Sequence, residues 1–207
     1  FNLKYLKMKK SVLLTIVALA GMALLFTSCA KLPEMEMTNA KAAVEAAKAA
    51  EADRYVPEEF RAVQDSLNAV LTEVENQKSK FVLFRSYKKV GTKFDNVVTL
   101  ANTAKENAII KKEEVKNQAQ QTLAEATSLV TEVQALIVKA PRGKEGKEAL
   151  EAIKSDLALV EASLAEVSTL INNGDYLTAL DKGNAAIEKA TSLKVELEEA
   201  ISKKRGY

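Results

Sequence analysis

The sequence contains no histidine and no tryptophan, one cysteine, three prolines and seven glycines, and only 5% of its residues are aromatic. Without histidine, the usual general base near neutral pH and the commonest metal ligand are both missing. One cysteine can form neither an internal disulfide nor a thiolate cluster around a metal ion. These absences argue against an enzyme and against a bound metal or cofactor.

The acidic residues form no recognisable catalytic pattern either. Glu58 with Glu59, and Glu113 with Glu114, are paired carboxylates of the kind a hydrolase could use. Neighbouring residues of a helix point about 100° apart, however, so such pairs cannot act on one substrate bond. The sequence also has no glycine-rich phosphate loop, nucleophile elbow or dinucleotide fingerprint. We therefore predict no catalytic residue and no metal site.

The charge of the chain disfavours nucleic acid as a partner. Residues 1–28 contain four lysines and no acidic residue, so the 30 basic and 28 acidic residues become 26 and 28 after residue 28, a net charge of −2. A nearly neutral surface of mixed sign lacks the strong positive field of a nucleic-acid-binding protein.

The first 28 residues have the layout of an export signal. A basic stretch precedes the apolar run Val12–Phe26, and two small polar residues lead from it to Cys29. The run of 15 residues is shorter than the ~20 that a membrane-spanning helix needs. We predict a signal peptide over residues 1–28, in a protein whose true start is Met8.

The end of this segment resembles the lipobox of bacterial lipoproteins, on the residues Leu25, Phe26, Thr27, Ser28 and Cys29. The resemblance implies that Cys29 is acylated, for example with palmitate, and becomes the first residue of the mature protein. Phe26 stands where a strict lipobox has Leu, so the match is to a relaxed form. The alternatives are ordinary cleavage that leaves a free thiol, and an uncleaved anchor.

The residues that follow Cys29 indicate the membrane to which such a lipoprotein would be sorted. Ala30 occupies the position at which Asp retains lipoproteins in the inner membrane, so similarity to sorted lipoproteins implies the outer membrane. Surface-displayed lipoproteins of some bacteria carry an acidic cluster there, whereas this chain continues with Lys31 and Leu32. The periplasmic face is therefore favoured over the cell surface.

The rest of the chain has the composition and periodicity of long helices. Ala, Glu, Lys, Leu and Arg supply 94 of the 179 residues from Cys29 onward. Apolar residues recur at alternating steps of three and four in two series, Phe60, Val63, Leu67, Val70, Val74 and Leu150, Ile153, Leu157, Val160, Leu164, Val167, Ile171. We predict an all-α fold, an elongated antiparallel helical bundle or coiled coil without strands.

Helix-starting and helix-ending residues divide the chain into five predicted helices. The first runs from a cap at Thr38 or Asn39 to Asp53, the second begins at Pro57, the third lies between Gly91 and Ala140, the fourth ends near Ile171, and the fifth extends from Tyr176 to Lys203. Pro33 argues against helix around Met35 and Met37.

An internal repeat suggests how these helices are grouped. At an offset of 90, Phe60, Val63, Val70 and Val74 align with Leu150, Ile153, Val160 and Leu164, and at 89 Tyr87 aligns with Tyr176. We predict a lipidated tether (29–37) and two tandem three-helix units (38–115 and 116–207) that share the long third helix. A coincidental match between two heptad patterns is the alternative.

The most distinctive segment is Phe81–Lys89, where Phe81, Phe84 and Tyr87 accompany three cations, one of them Arg85. Arg85 could stack on an aromatic ring or bind an anion, which would make the segment a partner-binding site. Phe81 and Phe84 also continue the apolar series through Gln77, which favours the alternative that they close the end of a bundle core.

A wider resemblance covers about residues 34–110. An Ala-rich helix leads to Tyr55, Val56, Pro57, Glu58 and Glu59, as in small Ala-rich helical lipoproteins of unknown function. The resemblance implies no activity. We therefore predict a non-enzymatic envelope lipoprotein, a spacer, tether or accessory subunit with an envelope protein or cell-wall partner; the alternative is a ligand- or peptide-binding helical module.

Overall fold

The computed structural model describes residues 31–141 and 144–205. These residues form α1 (Glu34–Ala49), α2 (Ala52–Tyr55), α3 (Pro57–Lys78), a 3₁₀ turn (Val82–Phe84), α4 (Lys88–Lys139), α5 (Lys144–Asn172) and α6 (Tyr176–Arg205). The described part of the chain has no β-strand, so the predicted all-α fold is confirmed. The predicted signal peptide and Cys29 lie outside the described residues.

The packing divides the chain into two compact units, with the boundary between Ile109 and Ile110. The boundary falls inside α4, so the first half of this helix belongs to the first unit and the second half to the second unit.

In the first unit, α3 and α4 are antiparallel. Lys93 forms an ion pair with Glu73 toward one end of the two helices, and Asn107 donates a hydrogen bond to Glu59 toward the other, at 2.8 Å. The buried side chains follow the apolar spacing of the sequence and include Ala40, Val44, Ala47, Phe60, Val63, Val70, Val74, Val90, Phe94, Val97, Ala101, Ala104 and Ala108.

In the second unit, α5 and α6 form an antiparallel hairpin that packs on α4. Lys189 pairs with Asp156 at 2.6 Å, and Lys182 pairs with Glu166 at 2.8 Å. The core contains side chains from all three helices, among them Ala126, Val130, Val133, Leu150, Ile153, Leu157, Val160, Leu164, Ala186, Ala190, Leu193 and Leu197.

The two units bury corresponding positions. Phe60, Val63, Val70 and Val74 are buried, and so are the residues 90 positions later, Leu150, Ile153, Val160 and Leu164. Val97, Ala101, Ala104 and Ala108 are likewise buried together with the residues 89 positions later, Ala186, Ala190, Leu193 and Leu197. The sequence repeat is thus accompanied by a repeat in burial.

The first helix begins earlier than its predicted cap. α1 starts at Glu34 directly after Pro33, and Thr38 lies inside the helix, where its hydroxyl donates to the carbonyl of Glu34 at 2.7 Å. Proline is excluded from a helix interior but not from the residue that precedes the first turn. The prediction of non-helical chain around Met35 and Met37 was therefore wrong.

The interruption before α4 also differs from the prediction. Gly91 does not break the chain, because its backbone N–H donates to the carbonyl of Tyr87 at 3.0 Å in the first turn of α4. The break lies earlier, between Lys78 and Lys88. The first helix likewise ends at Ala49 rather than Asp53, and a separate short helix, α2, follows it.

Candidate functional site

The segment that the sequence singled out is the connection between α3 and α4. It contains one 3₁₀ turn, in which the N–H of Phe84 donates to the carbonyl of Phe81 at 2.8 Å and that of Arg85 to the carbonyl of Val82 at 3.3 Å. We call its four consecutive apolar residues, Phe81–Phe84, the apolar turn. With about three residues per 3₁₀ turn, four successive side chains cannot all face one core.

All four side chains of the apolar turn are exposed to solvent. The exposed fractions are 68% for Phe81, 52% for Val82, 70% for Leu83 and 74% for Phe84. The centroids of the Phe81 and Phe84 rings lie 6.4 Å apart at an interplanar angle of 51°, within the range of an aromatic pair. The prediction that Phe81 and Phe84 close a bundle core was wrong, because α3 ends before the apolar series reaches them.

Arg85 has a local structural role. Its Nη2 donates to the carbonyl of Lys78 at 2.7 Å, and its Nε donates to the carbonyl of Lys80 at 2.9 Å. The last carbonyls of a helix have no partner within the helix, so the bond to Lys78 caps the end of α3, and the bond to Lys80 holds the chain that follows it. The N–H of Ser86 donates to Oε1 of Gln77 at 3.1 Å and ties the far side of the turn to the same helix.

Tyr87 differs from the two phenylalanines because it is buried. Its side chain is 5% exposed. It borders an open groove of about 490 Å³, whose other lining residues are Lys31, Glu36, Lys88, Gly91, Thr92 and Asp95. The structure therefore brings Phe81 and Phe84 together with Val82 and Leu83, and leaves Tyr87 in the body of the unit. The spacing argument missed Val82 and Leu83, although four apolar residues in a row already break a helical pattern.

The apolar turn lies in a stretch of one charge sign. Residues 76–94 contain six cations and no acidic residue. Lys78 pairs with Glu75, and Lys93 with Glu73. Within the described part of the chain, no acidic side chain forms an ion pair with Lys80, Arg85, Lys88 or Lys89. The apolar turn is thus an exposed apolar segment with lysine and arginine side chains on both sides of it in the sequence.

The paired carboxylates of the sequence are bound by different partners: Glu58 pairs with Arg61 at 3.7 Å, whereas Glu59 accepts a hydrogen bond from Asn107 at 2.8 Å. Glu113 accepts hydrogen bonds from Lys116 at 3.0 and 3.1 Å, and Glu114 accepts one from Lys111 at 3.0 Å. The hydrogen bond and then the charge of Glu113 hold the pKa of Lys116 above its ordinary value of 10.5. Among residues 31–141 and 144–205, no three acidic or thiol side chains are grouped so that they could hold a metal ion.

None of the helices formed by the described residues has both the length and the apolar content needed to cross a bilayer. No family model, curated protein or solved structure matches the chain.

Proposed function

We propose that this chain is a lipoprotein anchored in the outer membrane through Cys29, with its helical units in the periplasm. In this proposal it has no enzymatic role and acts as a spacer, tether or accessory subunit of an envelope assembly. The observation that carries the proposal is the lipobox-like segment Leu25–Cys29 at the end of a basic and apolar leader.

The character of the helical body supports a structural or interaction role. Its apolar positions are used to pack helices against each other, while its acidic and basic side chains form ion pairs along the helix surfaces, such as Lys194 with Glu132 at 2.6 Å. The chain also has no histidine to serve as a base near neutral pH. Several acyl chains would hold such a body stably at a membrane, since each buried CH₂ contributes about 0.8 kcal/mol.

The test is the intact mass of the protein extracted from the membranes of expressing bacteria. We expect a chain that begins at Cys29 and carries the mass of a diacylglyceryl group and an N-acyl chain. Cys29→Ala should lose that added mass and stay unprocessed. Ala30→Asp is the matched control, because it should keep the acyl mass and move the protein to the inner membrane. A Cys29 with a free thiol, in a protein recovered without membranes, would refute the anchor.

A second candidate function is a ligand- or peptide-binding helical module, and the exposed rings of Phe81 and Phe84 favour it. Because Phe84 is exposed, Phe84→Ser should leave the melting temperature of the free protein unchanged while removing any ligand-induced shift. Leu159→Ser, at another exposed apolar position, should keep that shift. A ligand-induced shift that survives Phe84→Ser would exclude this site.

A further inference from the structure

Exposed apolar side chains are concentrated at one end of the first unit. Among the described residues, eleven large hydrophobic side chains are exposed, and five of them are Met35, Phe81, Val82, Leu83 and Phe84. Met35 lies in the first turn of α1, and the other four form the apolar turn between α3 and α4. Large exposed apolar patches mark contacts with proteins, membranes or ligands.

This end of the unit is also the end at which the described chain begins. Lys31 and Glu36 border the same groove as Tyr87, Lys88 and Asp95, so the start of α1 lies beside the start of α4. Lys31 follows Cys29 by two residues, a stretch of chain that spans at most about 7 Å. A lipid attached to Cys29 would therefore enter its bilayer close to the apolar turn.

The charge around the turn favours an anionic lipid surface over a neutral apolar partner. Lys80, Arg85, Lys88 and Lys89 flank the four apolar residues along the chain, where residues 76–94 include no acidic side chain. The acidic side chains at this end include those of Glu36 and Asp95, which line the groove beside Tyr87 and Lys88. Aromatic and aliphatic side chains insert between headgroups and acyl chains, and nearby Lys and Arg attract anionic headgroups. Because Arg85 is bonded to the carbonyls of Lys78 and Lys80, the turn has a fixed shape before it meets a membrane.

We propose that the apolar turn Phe81–Phe84 inserts into the surface of a bilayer with anionic headgroups, the bilayer that holds the lipid on Cys29. The first unit then contacts the membrane at two places, through the acyl chains and through the turn. The choice of bilayer rests on the proposed function, whereas the affinity of the turn for anionic lipid does not depend on the acyl anchor.

The absence of tryptophan from the chain makes a single reporter possible. Phe84→Trp places an indole in the turn, and Leu159→Trp places one at an exposed apolar position of α5 as the matched control. Each protein is extracted from membranes and reconstituted into vesicles of phosphatidylcholine, with or without phosphatidylglycerol, whose acyl chains carry bromine. With phosphatidylglycerol, we expect a blue-shifted emission and at least about twofold quenching for Phe84→Trp, and little change for Leu159→Trp.

The outcomes separate this proposal from the lipid anchor. A protein that floats with the vesicles while the Phe84→Trp indole stays unquenched would overturn the insertion and leave the anchor intact. A protein that does not float with vesicles of phosphatidylcholine alone overturns the anchor; quenching of the same protein by added anionic vesicles would then still support the insertion. Equal quenching without phosphatidylglycerol would overturn the role of the cations. A blue shift that grows with protein concentration in the absence of vesicles would instead assign the turn to a second copy of the chain.

Discussion

At the scale of single residues, Gly183 is a position of the second unit that has no room for a side chain. A Cβ added at Gly183 would lie 2.6 Å from Cγ2 of Thr122, a side chain that is itself buried. The aligned residue of the first unit, Phe94, is fully buried, so equivalent positions of the repeat are packed in different ways. In the second unit, the side chains of Thr122 and Val167 lie next to Gly183 instead of a ring at that position.

We therefore expect Gly183→Ala to destabilise the protein. Overpacking of a core costs about 1–3 kcal/mol, which exceeds the gain of about 0.5–1 kcal/mol that Ala brings to a helix interior. Gly91→Ala is the matched control, since a Cβ at Gly91 meets no atom within 4 Å, and it should raise the stability by that gain. Urea denaturation followed by circular dichroism at 222 nm measures both.

The cause of the effect can be isolated with a double-mutant cycle. Thr122→Ser removes the methyl group that a new Cβ would meet and keeps the hydroxyl. In that background we expect Gly183→Ala to become neutral or stabilising, so the two substitutions should be coupled. Additive effects would show that the close approach is not what makes glycine necessary at this position.

The residues of the core could be predicted from sequence, but the exposed ones could not. Phe60, Val63, Val70 and Val74 are buried as their spacing predicts, because that spacing describes one face of a helix. Phe84 continues the same rhythm and is exposed. The spacing predicts burial only within a helix, and α3 ends at Lys78. The carbonyl of Lys78 accepts a hydrogen bond from Arg85 that no spacing rule anticipates.

At the scale of elements, the turn between α5 and α6 is the boundary that the sequence predicted best. Gly174 has a φ of 81°, in the left-handed region. Its N–H donates to the carbonyl of Ile171 at 3.1 Å, and the N–H of Asp175 donates to the carbonyl of Leu170 at 3.0 Å. These two bonds are the Schellman motif, and they explain why glycine marks the end of a helix.

Substitutions at Gly174 should follow the cost of the left-handed conformation. We expect Gly174→Asn to be tolerated best, Gly174→Ala to cost about 1–2 kcal/mol, and Gly174→Val to cost more, because a β-branched side chain is least compatible with positive φ. A Cβ at this position meets no atom within 4 Å, so crowding does not contribute. Thermal unfolding of the three variants gives the order, and a Val variant as stable as the Asn variant would contradict the motif.

The start of α1 shows the opposite case. Thr38 and Asn39 have the composition of a helix cap, yet the helix begins at Glu34. Glu34 and Glu36 occupy its first turn, where acidic side chains complement the helix dipole. Several residues of a sequence can cap a helix. Which of them marks its first turn depends on which stretch of the chain packs against the rest of the protein, and a single sequence does not give that packing.

At the scale of the whole molecule, the charges predict how stability depends on pH. Lys154 donates a hydrogen bond to Glu151 at 2.8 Å, and this bond, with the lysine charge, holds the pKa of Glu151 below its ordinary value of 4.5. The hydrogen bond and charge of Glu132 hold the pKa of Lys194 above its ordinary value of 10.5. The chain has no histidine, the side chain whose ordinary pKa places its titration between about pH 5 and 8.

The direction of each pKa shift determines whether the contribution of that group to the stability of the fold is lost at low or at high pH. The Glu151 contribution is complete above pH 4.5, the unfolded value, and is lost as the pH falls through the lower folded pKa. The Lys194 contribution is complete below pH 10.5 and is lost as the pH rises through the higher folded pKa. We therefore expect a melting temperature that is flat between about pH 6 and 9 and falls on both sides.

The measurement requires protein without a polyhistidine tag, because added imidazoles would titrate inside the plateau. Glu151→Gln should leave the plateau flat and reduce the loss on the acid side, since the amide keeps the size of the side chain and cannot be protonated in that range. Lys194→Gln should do the same on the alkaline side. A melting temperature that changes steeply between pH 6 and 8 would contradict this account.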